Sequence, residues 1–222
     1  MKELSIPFSL FDFFAVLFPG AVGLFGVYLL INPSLTQAGH EAALSQTVLH
    51  RPIGDLALVT GLVLTSYLLG QVLNALSELL IDRPINRFRG AHIVHDLSHY
   101  NVQKAIQQKF GEDILKQSVR RTFIMVESTV GANMPDAAAT AKRFIALAVM
   151  FQSLTLALLF VGAALVAGYT IGGLFSNSFV SFALVVVFIL ILVALMIWSY
   201  RRYKRMWSQT TCMSFVAWVT LN

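Results

Sequence analysis

Four apolar runs, each about as long as a bilayer is thick, set the limits on what this chain can become. They cover about Phe11 to Ile31, Leu56 to Leu80, Phe144 to Ile171 and Phe179 to Tyr200. A helix rising about 1.5 Å per residue needs roughly 20 residues to cross ~30 Å of hydrocarbon, so each run predicts a transmembrane helix. Of the 222 residues, 57% are hydrophobic and 12% are charged, against about 25% charged in an ordinary soluble domain. One water-soluble core cannot hide so many apolar side chains. The first run carries Asp12 and Pro19-Gly20 and has no small-x-small cleavage site, which reads as a retained span rather than a removed leader. The second and third runs exceed the required length, which predicts tilting or projection beyond the membrane.

Lys and Arg fix the expected orientation. The loop 32–54 holds only Arg51, and the turn 172–177 holds none. Lys2, ten basic residues between Arg83 and Arg143, and Arg201, Arg202, Lys204 and Arg205 all fall on the opposite side. Cytoplasmic loops carry the excess of positive charge, which predicts that both termini lie in the cytoplasm. The fold class expected is all-α: a polytopic membrane protein of four transmembrane helices, with a small helical cytosolic region between helices 2 and 3. Its parts are 1–80 (spans one and two), 81–142 (the cytosolic region), 143–200 (spans three and four) and 201–222 (a cytosolic basic tail).

Within the cytosolic region, Asn101 to Phe110 keeps apolar residues at helical spacing, and Gly111 follows as a stop. Asp113 is placed to cap a second helix, Ile114 to Val130, which Gly131 to Pro135 breaks; Asp136 then opens the helix leading into span three. In the tail, Trp207, Phe215 and Trp218 suit one side of a short helix that returns to the membrane surface or covers the cytosolic helices. The lone Cys212 excludes internal disulfides and reads as a small apolar residue rather than a reactive thiol. The sequence pI near 9.6 is assigned to topology and anionic lipid, with nucleic acid an unlikely partner.

Span two carries a polar stripe. Tyr67, Gln71, Asn74 and Glu78 share a helical face, extended by Thr60 and Asp82. Polar groups facing lipid are costly, so the stripe either lines an ion or water path with Glu78 at its mouth, or makes interhelical hydrogen bonds. Span one offers a kink at Pro19-Gly20 and a groove at Gly23 and Gly26, suited to gating or to plain packing. Asp12, among Phe8, Phe11, Phe13, Phe14 and Phe18, pairs with a cation such as Arg83 or Arg143 or sits in headgroup water. Small residues from Gly162 to Gly168 in span three are compatible with a homo-oligomer.

On one helix, His92, His95 and His99 would share a face, and three imidazoles with water could hold a zinc-like ion; surface histidines responsive to pH near 6 to 7 are the plainer reading. No cofactor is implied. The pairs Arg120-Arg121 and Arg201-Arg202 read as topology anchors and lipid or partner contacts, and no Gly-rich phosphate loop accompanies them.

The motif Phe11-Asp12-Phe-Phe-Ala15 with Pro19-Gly20, the stretch Tyr67 to Leu80, and Phe144 to Leu159 resemble a loose group of bacterial four-pass inner-membrane proteins. Gln71 stands where that group often has His. Some such proteins accompany antiphage defence genes, including the membrane subunit of Kiwa-type systems. The resemblance implies a membrane-sensing or membrane-damaging role and carries over no catalytic residue. Three functions follow as expectations. The first is an oligomeric defence- or stress-associated effector or sensor forming or controlling a permeation path. The second is a membrane anchor recruiting a cytosolic partner protein, and the third is a metal-dependent membrane enzyme built on the histidines. A non-enzymatic role is expected.

Overall fold

A computed structural model describes residues 10–31, 52–82, 91–114, 118–172 and 179–222. Among these residues every regular element is helical. We number the α-helices α1 (Leu10–Ile31), α2 (Pro52–Ser77), α3 (Ala91–Ser98), α4 (Tyr100–Phe110), α5 (Val119–Asn133), α6 (Pro135–Gly172) and α7 (Phe179–Leu221). A π turn, Glu78–Asp82, extends α2, and a 3-10 turn, Glu112–Ile114, follows α4. Three helical stretches are long and apolar enough to cross a membrane: Leu58–Ile81, Pro135–Ala167 and Phe182–Leu221. A fourth apolar stretch, Ala15–Leu29 of α1, is shorter. The chain is thus an all-helical membrane protein.

Two compact units divide the chain: residues 1–78 with 150–198, and residues 79–149 with 199–222. In the first, which holds the more apolar segments, α1 and α2 pack through glycine. A Cβ added at Gly20 would strike the Ser66 carbonyl oxygen and lie 2.7 Å from the Gly70 nitrogen; one added at Gly70 would strike the Val16 carbonyl oxygen. Both obstructions are backbone, so the two helices touch main chain to main chain. α2 turns Ser66, Gly70, Leu73 and Ser77 inward, all buried. This is one face of a helix at spacings of four, three and four. α1 continues through Pro19, which is itself buried.

The second unit is a small helical domain with its own core. Leu97 of α3, Val102, Ala105 and Ile106 of α4, Phe123, Val126 and Val130 of α5, and Cys212, Phe215 and Val219 of α7 form one buried cluster. α4, α5 and α7 contribute at spacings of three and four, the pattern of an amphipathic face. α4 ends at Gly111, whose φ of 85° lies in the left-handed region that glycine adopts without strain. α5 begins later than Asp113 predicted: Ser118 is its N-cap, accepting from the Arg121 N–H at 3.4 Å, and Val119 is exposed. The helix also runs through Gly131 to Asn133, because the stop is Pro135, which drives the preceding Met134 out of helical geometry (φ −135°, ψ 72°). Pro135 then occupies the first position of α6, where its missing N–H costs nothing.

The compact units divide next to the expected boundary at residue 200, between 198 and 199, but the helix does not break there. α7 is one helix of 43 residues, and α6 is one of 38, about 65 and 57 Å long, or roughly twice the hydrocarbon thickness. The tail is therefore the end of a long helix, and its apolar side completes the core of the second unit, as the covering role of Trp207, Phe215 and Trp218 anticipated. Phe215 stacks on Phe110 with ring centroids 5.7 Å apart, and Trp207 meets Phe123 edge-on at 4.9 Å.

Candidate functional site

The polar stripe of α2 divides. Asn74 and its neighbour Ser77 are drawn into helix contacts: Ser153 Oγ of α6 donates to Asn74 Oδ1 at 3.4 Å and lies 3.4 Å from Ser77 Oγ. Ser77 Oγ donates in turn to the Asn74 carbonyl at 2.8 Å. Tyr67 stacks on Phe13 at 5.8 Å and accepts from Gln71 Nε2 at 3.0 Å. Thr60, Gln71 and Glu78, by contrast, are exposed. One half of the stripe binds helices together, and the other half is presented outward. The side chain of Asp82 lies outside the described residues.

The glycines of α1 serve packing. Gly20 meets α2 backbone, Gly23 faces Leu69 and Leu73 (2.7 Å from Leu73 Cδ1 to an added Cβ), and Gly26 faces Phe160 and Val161 of α6, at 2.8 Å from Phe160 Cδ1. Two features absent from the sequence reading belong to this assembly. Gly70 is the reciprocal partner of Gly20. The polar run Gln152, Ser153 and Thr155 is buried inside α6; Thr155 returns its hydroxyl proton to the Phe151 carbonyl at 2.8 Å, and Gln152 Nε2 has no partner among the described residues. Three polar side chains within an apolar run were the available signal.

The histidines do not share a helix. α3 ends at Ser98, whose Oγ donates to the His95 carbonyl at 2.8 Å, and His99 is extended (φ −62°, ψ 131°) before α4 begins. Local side-chain bonding of this kind competes with continued helix. The single helical face expected for His92, His95 and His99 does not form, and among the described residues, which leave out the His92 side chain, no cluster of three or more metal-ligating side chains occurs. His95 is 80% exposed, with Nδ1 3.5 Å from Asp96 Oδ1.

Asp96 has a structural task instead. Its carboxylate, 10% exposed, accepts from Ser208 Oγ at 2.6 Å and ties α3 to α7. Cys212, one turn beyond Ser208 and past the basic run Arg201–Arg205, is buried in the same core. Burial, with the Asp96 carboxylate adding to it, pushes its thiol up to about 12. The thiolate is the reactive form, so maleimide at pH 8 is expected to leave folded protein unmodified and to label Cys212 once detergent denatures it. Labelling of the native chain at the denatured rate would contradict this placement.

Arg120 and Arg121 are exposed in the first turn of α5, and Arg202 is exposed on α7, whereas Arg201 is half-buried, with Nε lacking a hydrogen-bond partner among the described residues. Lys109 Nζ lies 4.5 Å from the centroid of the Trp218 ring, and Lys204 Nζ donates to Tyr200 at 2.8 Å. Asp12 and Arg83, one of the cations offered to it, lie outside the described side chains; Arg143, the other, is exposed.

No family model, curated protein or solved structure matches this chain.

Proposed function

We propose that the chain is a four-pass protein of the bacterial inner membrane that carries a cytoplasmic helical platform for a partner protein, in a defence- or stress-associated sensor or effector. The observation that supports it is the second unit: a closed hydrophobic core built partly from the end of the same α7 that begins as an apolar span. The excess of Lys and Arg in and around this unit favours its cytoplasmic placement. α1 supplies the fourth pass, since its 22 residues meet the ~20 that a bilayer requires. Exposed Arg120, Arg121 and Ile124 on one side of α5 offer a mixed cationic and apolar patch to the partner. The resemblance to four-pass proteins that accompany antiphage genes agrees with this reading.

A permeation path is the second reading, favoured by the outward placement of Thr60, Gln71 and Glu78. One experiment separates the two. Purified chain in liposomes is expected to pass no more ions than empty vesicles, with reporter tags at both termini cytoplasmic in cells. A soluble protein should copurify with the detergent-extracted chain and be lost with Arg120→Glu/Arg121→Glu. Ion flux abolished by Glu78→Ala and Gln71→Leu would instead establish the path.

A further inference from the structure

We propose that α2 is the seam through which two copies of this chain associate, side by side and parallel, along Gly61, Leu64, Leu68, Gln71, Ala75 and Glu78. These six residues follow one another at alternating spacings of three and four, and all of them are exposed. They lie on the side of the helix opposite the inward face of Ser66, Gly70, Leu73 and Ser77. Alternating three-four spacing is the pattern that keeps one stripe of a helix against a second, gently supercoiled helix. Lipid has no use for that register, because hydrocarbon packs equally against any apolar face.

The composition of the stripe says what covers it. Gln71 sits within the span, and after donating one N–H to Tyr67 it retains a second N–H and a carbonyl oxygen. An amide in hydrocarbon without partners is costly, and another amide answers both groups at once. Across a two-fold axis Gln71 meets its own copy, so the group is its own complement. A single polar residue in such a seam also fixes its register. At Gly61 an added Cβ would meet nothing within 4 Å, leaving a notch on the outer face into which the facing helix can settle. Glu78 falls at the start of the π turn, at the end of the stripe. In a membrane every copy has the same orientation, so the paired seams run parallel and each residue lies near its counterpart.

The inference rests on reading α2 as a transmembrane helix. The test uses full-length chain in native membranes bearing Leu68→Cys, Ala75→Cys or, on another face, Val63→Cys, oxidised with copper phenanthroline. Leu68→Cys and Ala75→Cys are expected to give a band at twice the 24.5 kDa of the chain. Val63→Cys and the parent chain, whose Cys212 is buried, should give none. Adding Gln71→Leu to Leu68→Cys is expected to reduce the yield, whereas a lipid-facing position would be unaffected. Equal crosslinking at 63 and 68, or none at 68 and 75 in chain that resists carbonate extraction, would overturn the seam and leave the membrane reading standing. Chain released by carbonate would overturn both.

Discussion

Alanine at Gly70 is expected to loosen the α1–α2 pair, and valine there to separate it. The added methyl group would enter the space of the Val16 carbonyl oxygen, which belongs to a helix backbone and cannot rotate away. Gly20→Ala meets the same obstacle from the other side, at the Ser66 carbonyl. Forcing atoms into filled space costs about 1–3 kcal/mol, and here relief requires moving a whole helix, so alanine should reach the upper part of that range and valine exceed it. The double variant Gly20→Ala/Gly70→Ala should cost less than the sum of its parts, because one displacement accommodates both methyl groups. Gly131→Ala is the control. It lies in a helix with nothing within 4 Å of an added Cβ, and should gain about 0.4–1 kcal/mol by restricting the unfolded chain. Unfolding in graded denaturing detergent reads all five variants. Gly70→Ala as stable as the parent would mean that α1 and α2 do not cross here.

Why Gly70 escapes a reading of the sequence is instructive. Its partner is 50 positions away, and the other glycines of its helix, Gly54 and Gly61, lie at spacings that put them on the opposite side. Gly20, Gly23 and Gly26 announce a groove because they repeat at spacing three; the groove's occupant leaves no such mark. The stripe on α2 was visible for the converse reason, since helical spacing places its members on one side. What spacing cannot supply is the rotation of that side relative to neighbours, and this rotation sends Asn74 to Ser153 and leaves Gln71 outside. Hydropathy marked a boundary near residue 200, where the compact units divide, but not the end of the helix. Charge begins there, yet no Pro or Gly occurs between Phe179 and Asn222, so the backbone had no reason to break. The converse error arose at His99, where three histidines at helical spacing suggested one helix. Serine bonding within the last turn of α3 and an extended residue ended it first. Pattern describes what a helix would present; continuity depends on local backbone competition.

Truncating Phe215 to alanine is expected to have the largest effect in the second unit. Phe215 is 0% exposed, stacks on Phe110 of α4 and has its ring centroid 6.3 Å from that of Trp218. Removing a buried aromatic ring costs about 3–5 kcal/mol, part lost burial and part the cavity left behind. Small helical domains have only about 5–15 kcal/mol in total, so much of this unit's stability would go. The effect should be local. α1, α2 and the apolar length of α7 draw on different contacts, and Phe215→Ala chain should still enter the membrane at parental levels. Three readouts separate local loss from global failure. Tryptophan emission should shift red as Trp207 and Trp218 meet water. Amides of α3 to α5 should exchange faster while those of α2 do not. Cys212, sharing the core with Phe215, should become reactive to maleimide in the native membrane. Phe215→Leu, which refills most of the volume, should restore protection. If recruitment of a cytoplasmic partner depends on this platform, copurification fails in Phe215→Ala and returns in Phe215→Leu. Survival of binding in the alanine variant, with its core demonstrably open, would move the recognition surface out of the second unit altogether.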